Sequence, residues 1–250
     1  MLTFVGLGLY DEHSITLRGR DALREADRAF AEFYTSDLAG TSVEELERVH
    51  GVTIEVRDRA GVERDPGPIL DAAAQGDAVF LTGGDPMMAT THVDLRLRAH
   101  DRGIDTRIVH GTTAATAASS LTGLQNYRFG KATTLPADRD GVPDSVLETI
   151  ETNRERDLHT LCFLDIDRER ESYMTGSEAA AALAPTHGDA VGVVVARAGS
   201  DEPAVVADRI ATLAEGEFGP PLHLLVLPAD PHPMEREALV SLAGAPAELF

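Results

Sequence analysis

Residues 78–92 read AVFLTGGDPMMATTH, and the passage from apolar to polar inside this stretch decides the fold class. An unbroken apolar run closed by glycine reads as a buried strand of a parallel sheet. Gly83 and Gly84 end the run, and Asp85-Pro86 stand where the chain leaves the sheet. Ligands of open α/β sheets bind beyond the carboxyl ends of the strands, so Asp85 is placed to accept hydrogen bonds from ribose hydroxyls or an amino-acid ammonium. An aspartate ahead of a helix-initiating proline is also a common N-cap. Both roles can hold at once.

Outward from this strand, strand-like and helix-like segments alternate. TFVGLG (3–8) and AFAEF (29–33) read as strands around the helical pattern RGRDALREADRAF (18–30). Ser42 and Glu45 form a capping-box pattern that opens the helix SVEELERVH (42–50). A strand at VTIEV (52–56), a helix at PILDAAAQG (68–76), a helix over 91–100 and a strand at DTRIVHG (105–111) follow. This alternation predicts an α/β domain with a largely parallel sheet. The small-residue helix TTAATAASSLTGL (112–124) then leads into strands within 128–136, 159–166, 190–199 and 222–228, with helices over 144–156, 177–184 and 203–215. PADRDGVPDS (136–145) is a surface loop by composition. The expected domains are 1–111 and 112–250.

Hydrophobic residues at 43% and charged residues at 26% are the balance of a soluble globular protein. No apolar run approaches the roughly 20 residues that span a bilayer. MLTFVGLGLYDEHS lacks a basic leader, so a cytoplasmic protein is expected, away from membranes. Cys162 is the only cysteine and sits in an apolar run, which reads as a small buried hydrophobe. The formal charge is −20, and Lys131 is the only lysine. Acidity with near-total loss of lysine points to a cell of high internal salt, where the Debye length falls to about 3 Å at 1 M. A halophilic archaeon is the expected source. The acidity describes habitat more than partner, and a charge of −20 offers little for the basic face that would favour RNA, so no nucleic-acid partner is expected.

Further segments bear on chemistry. VGLGLYDE (5–12) places two glycines after a strand, suited to a tight turn or to close approach of a ligand. Thr112 and Thr113 offer hydroxyls and backbone amides, or merely pack a helix. Asp165 follows the apolar stretch within LHTLCFLDI (158–166), and Ala198-Gly199-Ser200 in VVVARAGSDEP (193–203) form a turn that suits a flat purine. His223 opens the last strong strand, where a structural histidine is the commoner finding. No phosphate loop, nucleophile elbow or zinc motif is present, and no metal is expected.

In order and spacing, GLGLYDE, AEFYTS (31–36), LTGGDPMMATTH, TGLQNYRFGK (122–131), LHTLCFLDI, ARAGS and LAGAPAE resemble the diphthine synthase family along essentially the whole chain. The resemblance implies two α/β domains of the tetrapyrrole methylase type, with S-adenosylmethionine in the cleft between them, and a homodimer. It implies trimethylation of the 3-amino-3-carboxypropyl-histidine of translation elongation factor 2, a step of diphthamide biosynthesis. Carried over residue by residue, the cofactor contacts are Leu9, Asp85, Met88, Thr113, Ala114, Leu164, Ala198 and His223. Thr113-Ala114 replace a serine and a larger apolar residue of the family pattern.

Methyl transfer from a sulfonium is an in-line displacement in which positioning supplies much of the catalysis. No obligatory catalytic residue is therefore expected. Asp165 is a candidate for orienting the acceptor amine, and Lys131 or Arg197 for pairing with the substrate carboxylate. The rival readings are a methyltransferase of the same fold acting on a tetrapyrrole or ribosomal RNA, and a non-catalytic module that binds the elongation factor.

Overall fold

Leu2, Phe4, Phe30 and Phe80 are fully buried, and the period-two geometry of strands explains why. In the computed structural model, which describes residues 1–137, 141–167 and 170–250, the chain divides into two compact units, Met1–Thr113 and Ala114–Phe250. The first is built from β1 (Leu2–Gly6), α1 (Leu17–Glu25), β2 (Arg28–Glu32), α2 (Val43–His50), β3 (Ile54–Val56), α3 (Arg59–Glu63), α4 (Gly67–Gln75), β4 (Ala78–Thr82), α5 (Val93–Asp101) and β5 (Thr106–Val109). Its sheet has the order β3-β2-β4-β1-β5, and every pairing is parallel.

Register puts Phe4, Phe80 and Phe30 side by side on adjacent strands, with the Phe4 and Phe80 rings edge to face at 5.9 Å. They pack with Ile69, Leu70 and Leu95, so α4 and α5 cover this face. Val5, Leu81 and Ala31 point the other way, onto Leu23 of α1 and Leu46 of α2. Each buried phenyl side chain contributes roughly 2–3 kcal/mol. Half of the expected capping box forms: Ser42 accepts from Glu45 N–H, the Glu45 carboxylate turns to Arg48 instead, and Gly51 closes α2 in the left-handed conformation. The same register aligns Glu32, Thr82 and Gly6 at one carboxyl edge, from which all the turns of interest leave.

The second unit contains α6 (Ala114–Thr122), β6 (Thr133–Leu135), α7 (Asp144–Glu155), β7 (Thr160–Leu164), β8 (Ile166–Asp167), β9 (Ser172–Tyr173), α8 (Gly176–His187), β10 (Val191–Ala196), β11 (Ala204–Arg209), α9 (Ile210–Leu213), β12 (His223–Leu227) and α10 (Pro233–Ala243). The five-stranded sheet β11-β10-β12-β7-β6 is antiparallel except for β6 beside β7. Helix was expected over 203–215, but Ala204–Arg209 is an edge strand paired with β10, and only Ile210–Leu213 is helical. Val205 and Val206 are β-branched, and hairpin pairing to β10 overrides the alanine-rich helical reading. Pro233–Ala243 was not anticipated as a helix, although Pro233 at its first turn and Gly244 after its end mark both boundaries. Residues 138–140 of the expected surface loop lie outside the described residues.

Arg128, His159 and Glu235 form a buried polar cluster in this unit. Glu235 accepts from Gln125 N–H at 2.8 Å, His232 N–H at 2.8 Å and His159 Nε2 at 3.0 Å, and it also pairs with Arg128. His159 Nδ1 accepts from Ala229 N–H at 3.0 Å, so the ring proton sits on Nε2 and the ring is neutral. Among the described residues, no helix is long and apolar enough to cross a membrane.

Candidate functional site

Three turns leave the carboxyl edge of the first sheet, and glycine brings them together. Gly8 N–H donates to Gly84 O at 3.2 Å and Gly84 N–H to Gly8 O at 2.7 Å, a reciprocal bridge between the first and second turns. A methyl group on Gly6 would collide with Gly84 O and stand 2.7 Å from Gly111 N, so only glycine allows this approach.

Asp85 joins the second turn to the third. Its Oδ1 accepts from Met87 N–H at 2.9 Å, and its Oδ2 from His110 Nδ1 at 2.7 Å and Gly111 N–H at 3.2 Å. The helix-cap reading of Asp85 is corrected, since residues 86–92 form turns and α5 starts only at Val93 behind His92; the side chain instead caps its own turn and holds the end of β5. The nearby Met88 is an apolar side chain left about half exposed, at 52%. Leu9 is half-buried, with its carbonyl held by Ser14 Oγ. Thr113, also half-buried, ends this unit.

In the second unit, antiparallel register places Ala196 opposite His223 and Leu224 opposite Phe163. Leu164, Arg197, Ala198 and His223 therefore gather at one end of the sheet. Ala114 begins α6. Asp165 spends its oxygens on Ala137 N–H at 3.0 Å and Ile166 N–H at 3.1 Å, tying down the strand end. The Arg197 guanidinium donates to Phe218 O at 2.6 Å and Glu202 O at 3.4 Å and so braces the turn. Within that turn Ser200 Oγ is buried without a hydrogen-bond partner among the described residues. His223 Nδ1 accepts from Gly176 N–H at 2.9 Å, and its Nε2 donates to Pro220 O at 3.0 Å. Burial pushes its pKa down, and the ring is neutral.

Lys131 does not join this group. Parallel register pairs Thr133 with Cys162 and Leu135 with Leu164, so Lys131 lies at the opposite end of β6 from Asp165. Sequence reasoning also passed over Glu32 and His92, both buried, beside the Asp85 loop. Only their presence in two of the quoted segments hinted at them. Among the described residues, no group of three or more His, Cys, Asp or Glu could hold a metal ion.

Comparison with known proteins follows the same outline. A family model described as Tetrapyrrole (Corrin/Porphyrin) Methylases matches residues 1–214. Diphthine synthase of Halobacterium salinarum is 65% identical over 258 residues, covering 99% of each chain. That of Natronomonas pharaonis is 63% identical over 98% of this chain and 97% of its own. A crystal structure of a diphthine synthase superposes with a TM-score of 0.94 at 42% identity, covering 99% of this chain and 98% of the other.

Proposed function

This chain belongs to the tetrapyrrole methylase family, among its diphthine synthases, and on that premise we propose that it methylates a modified histidine of translation elongation factor 2. It is a methyltransferase, and the observation that carries the substrate reading is identity to diphthine synthases along the full chain. The acceptor is the amine of a 3-amino-3-carboxypropyl group on that histidine, and the methyl donor is S-adenosylmethionine. The same membership supports a homodimer and a cytoplasmic setting, where the elongation factor works. The formal charge of −20 favours this acceptor over RNA.

The residues fit the donor in three respects. Gly84 leaves bare backbone that a flat or polar group can approach, since nothing stands nearer to its missing side chain than Thr112 O at 3.9 Å, whereas Gly6 and Gly111 are closed by one another and by Gly84 O. Asp85 keeps lone pairs beyond its three protein bonds and can accept from ribose hydroxyls or an ammonium. The Ser200 hydroxyl, buried beside Ala198, lacks only a partner. When bound, the cofactor supplies an electrophilic methyl for in-line displacement. We assign its binding to Leu9, Asp85, Met88 and Thr113 of the first unit and to Ala114, Leu164, Ala198 and His223 of the second. His223 acts through its backbone, since both ring nitrogens are already bonded.

The acceptor amine must be neutral to attack, and a site that desolvates it favours that form. Asp165, with lone pairs left over from two backbone bonds, orients the amine, and no side chain is required as a base. Arg197 retains N–H groups beyond its two carbonyls and is the cation assigned to the substrate carboxylate, in preference to the remote Lys131. The test is transfer of labelled methyl at molar salt to three acceptors offered separately. Label on the elongation factor carrying the modified histidine, and on neither a corrin-type tetrapyrrole nor ribosomal RNA, is the expected result. Label on either of the others would replace this reading.

A further inference from the structure

The segment AEFYTS helps identify the family, yet none of its residues has a role in the site described above. In the fold it ends at the same sheet edge as the Asp85 loop. Glu32, fully buried at the last position of β2, accepts at Oε2 from Tyr34 N–H at 3.0 Å and Thr35 N–H at 3.1 Å. Its Oε1 accepts from Thr35 Oγ1 at 2.5 Å and from Thr82 Oγ1 at the end of β4. The ring of His92 stands against the same oxygen, with Nε2 3.3 Å from Oε1, within ion-pair distance but not aligned as a hydrogen bond, and that nitrogen has no hydrogen-bond partner among the described residues. His92 is 1% exposed and lies edge to face against Phe80 at 5.0 Å, which limits its rotation.

The other ring nitrogen fixes the chemistry. His92 Nδ1 lies 3.0 Å from the carbonyl oxygen of Pro86, the residue after Asp85. A carbonyl can only accept, so Nδ1 carries a proton. If Nε2 were then bare, its lone pair would face a carboxylate oxygen in a site closed to water. Such an arrangement costs the desolvation of both groups and returns nothing. One proton between Nε2 and Oε1 removes the conflict, whichever atom it sits closer to.

We propose that Glu32 and His92 hold one proton between them and act as positioning residues for the cofactor loop, keeping the His92 Nδ1–H on the Pro86 carbonyl and so fixing Asp85. This rests on the reading that the Asp85 loop binds S-adenosylmethionine. Thr82 and Thr35 complete the support from β4 and from the turn after β2, and Glu63 of α3, which accepts from Thr91 Oγ1 at 3.0 Å, is a further carboxylate near His92. The pair touches no reacting atom in this scheme. Its effect reaches the cofactor through one backbone carbonyl.

Two measurements test it. Nitrogen NMR of histidine-labelled protein at neutral pH and molar salt reads the His92 ring directly, its signals assigned by their loss in His92→Asn. A protonated Nδ1, with an Nε2 resonance displaced from the position of a bare lone pair, is expected. A bare Nε2 would overturn the shared proton. Calorimetric binding of S-adenosylhomocysteine then reads the positioning. His92→Phe fills the ring volume but loses one of the two donors to the Pro86 carbonyl, the Thr90 hydroxyl at 2.9 Å being the other, and about tenfold weaker binding is expected, the equivalent of one hydrogen bond. His92→Asn keeps a donor near the Nδ1 position and should bind within about twofold of the wild type. Equal affinity of His92→Phe and wild type, or equal weakness of both variants, would overturn the positioning role. Asp85→Ala separates this failure from a failure of the loop reading. If that variant binds as tightly as wild type, the loop does not hold the cofactor and the inference falls with it, whatever the NMR shows.

Discussion

Asp85 and His110 meet at 2.7 Å, and the pair is lopsided, because the carboxylate is 5% exposed and the imidazole 76%. The buried partner therefore determines the energetics. In Asp85→Asn one oxygen becomes an NH₂ group, and with Met87 N–H still satisfied that group must oppose Gly111 N–H. Leaving this half-buried donor unpaired is expected to cost about 1–2 kcal/mol, measured by urea denaturation, with weakened cofactor binding alongside. His110→Ala removes only an exposed partner and should cost less than about 1 kcal/mol. Equal losses in the two variants would contradict this division.

The approach of backbone at Gly6 makes a second expectation. Gly6→Ala places a methyl 2.7 Å from Gly111 N and against Gly84 O, both of them backbone atoms that cannot rotate away. Overpacking of this kind costs roughly 1–3 kcal/mol. Both stability and S-adenosylmethionine affinity should fall, since the first and second turns are displaced together. Thermal melting and calorimetry on the variant decide it, and unchanged affinity would separate this contact from the site.

Acid should unfasten the cluster around Glu235. Desolvation pushes its carboxyl upward, but the N–H groups of Gln125 and His232 and the His159 ring outweigh it and bring the pKa to about 2, against an ordinary 4.5. A carboxyl whose folded pKa is depressed stabilises the fold above its unfolded value. That contribution is lost as pH falls from 4.5 towards 2, and in full it is worth roughly 3 kcal/mol. Burial lowers the pKa of His159 below the ordinary 6.5, so this ring adds a loss of the same sign that begins at higher pH. Denaturation midpoints of wild type and Glu235→Gln should converge on acidification. Parallel curves over that window would refute the assignment.

Cys162 is fully buried, and burial pushes its thiol pKa up to about 12. Because thiolate is the reactive form, the native protein should resist a thiol reagent at neutral pH and react fully only in denaturant. Rapid modification of the folded chain would show that β7 opens readily.

The first unit was legible because its strands are covered on both faces, so AVFLT and LTFVG read as unbroken apolar runs. The second unit was harder to read. Ala204–Arg209 is an edge strand of intermediate burial whose alanines suit a helix, and only its pairing with Val191–Ala196 makes it a strand. Asp85 stood out because a strand, two glycines and a proline surround it locally. Glu32 with His92, and Arg128 with Glu235, lie far apart in the chain, and no spacing rule brings such pairs together. Lys131 was attractive as the lone lysine, yet parallel register sends it to the far end of β6.

The most direct test of the account is intact and peptide-level mass spectrometry of archaeal elongation factor 2 carrying the aminocarboxypropyl histidine, after incubation with this protein and S-adenosylmethionine at molar salt. Methyl increments confined to that histidine, and absent when Asp85→Ala replaces the wild type, are the expected result. An unmodified histidine, in the presence of protein shown separately to bind the cofactor, would contradict the proposed acceptor.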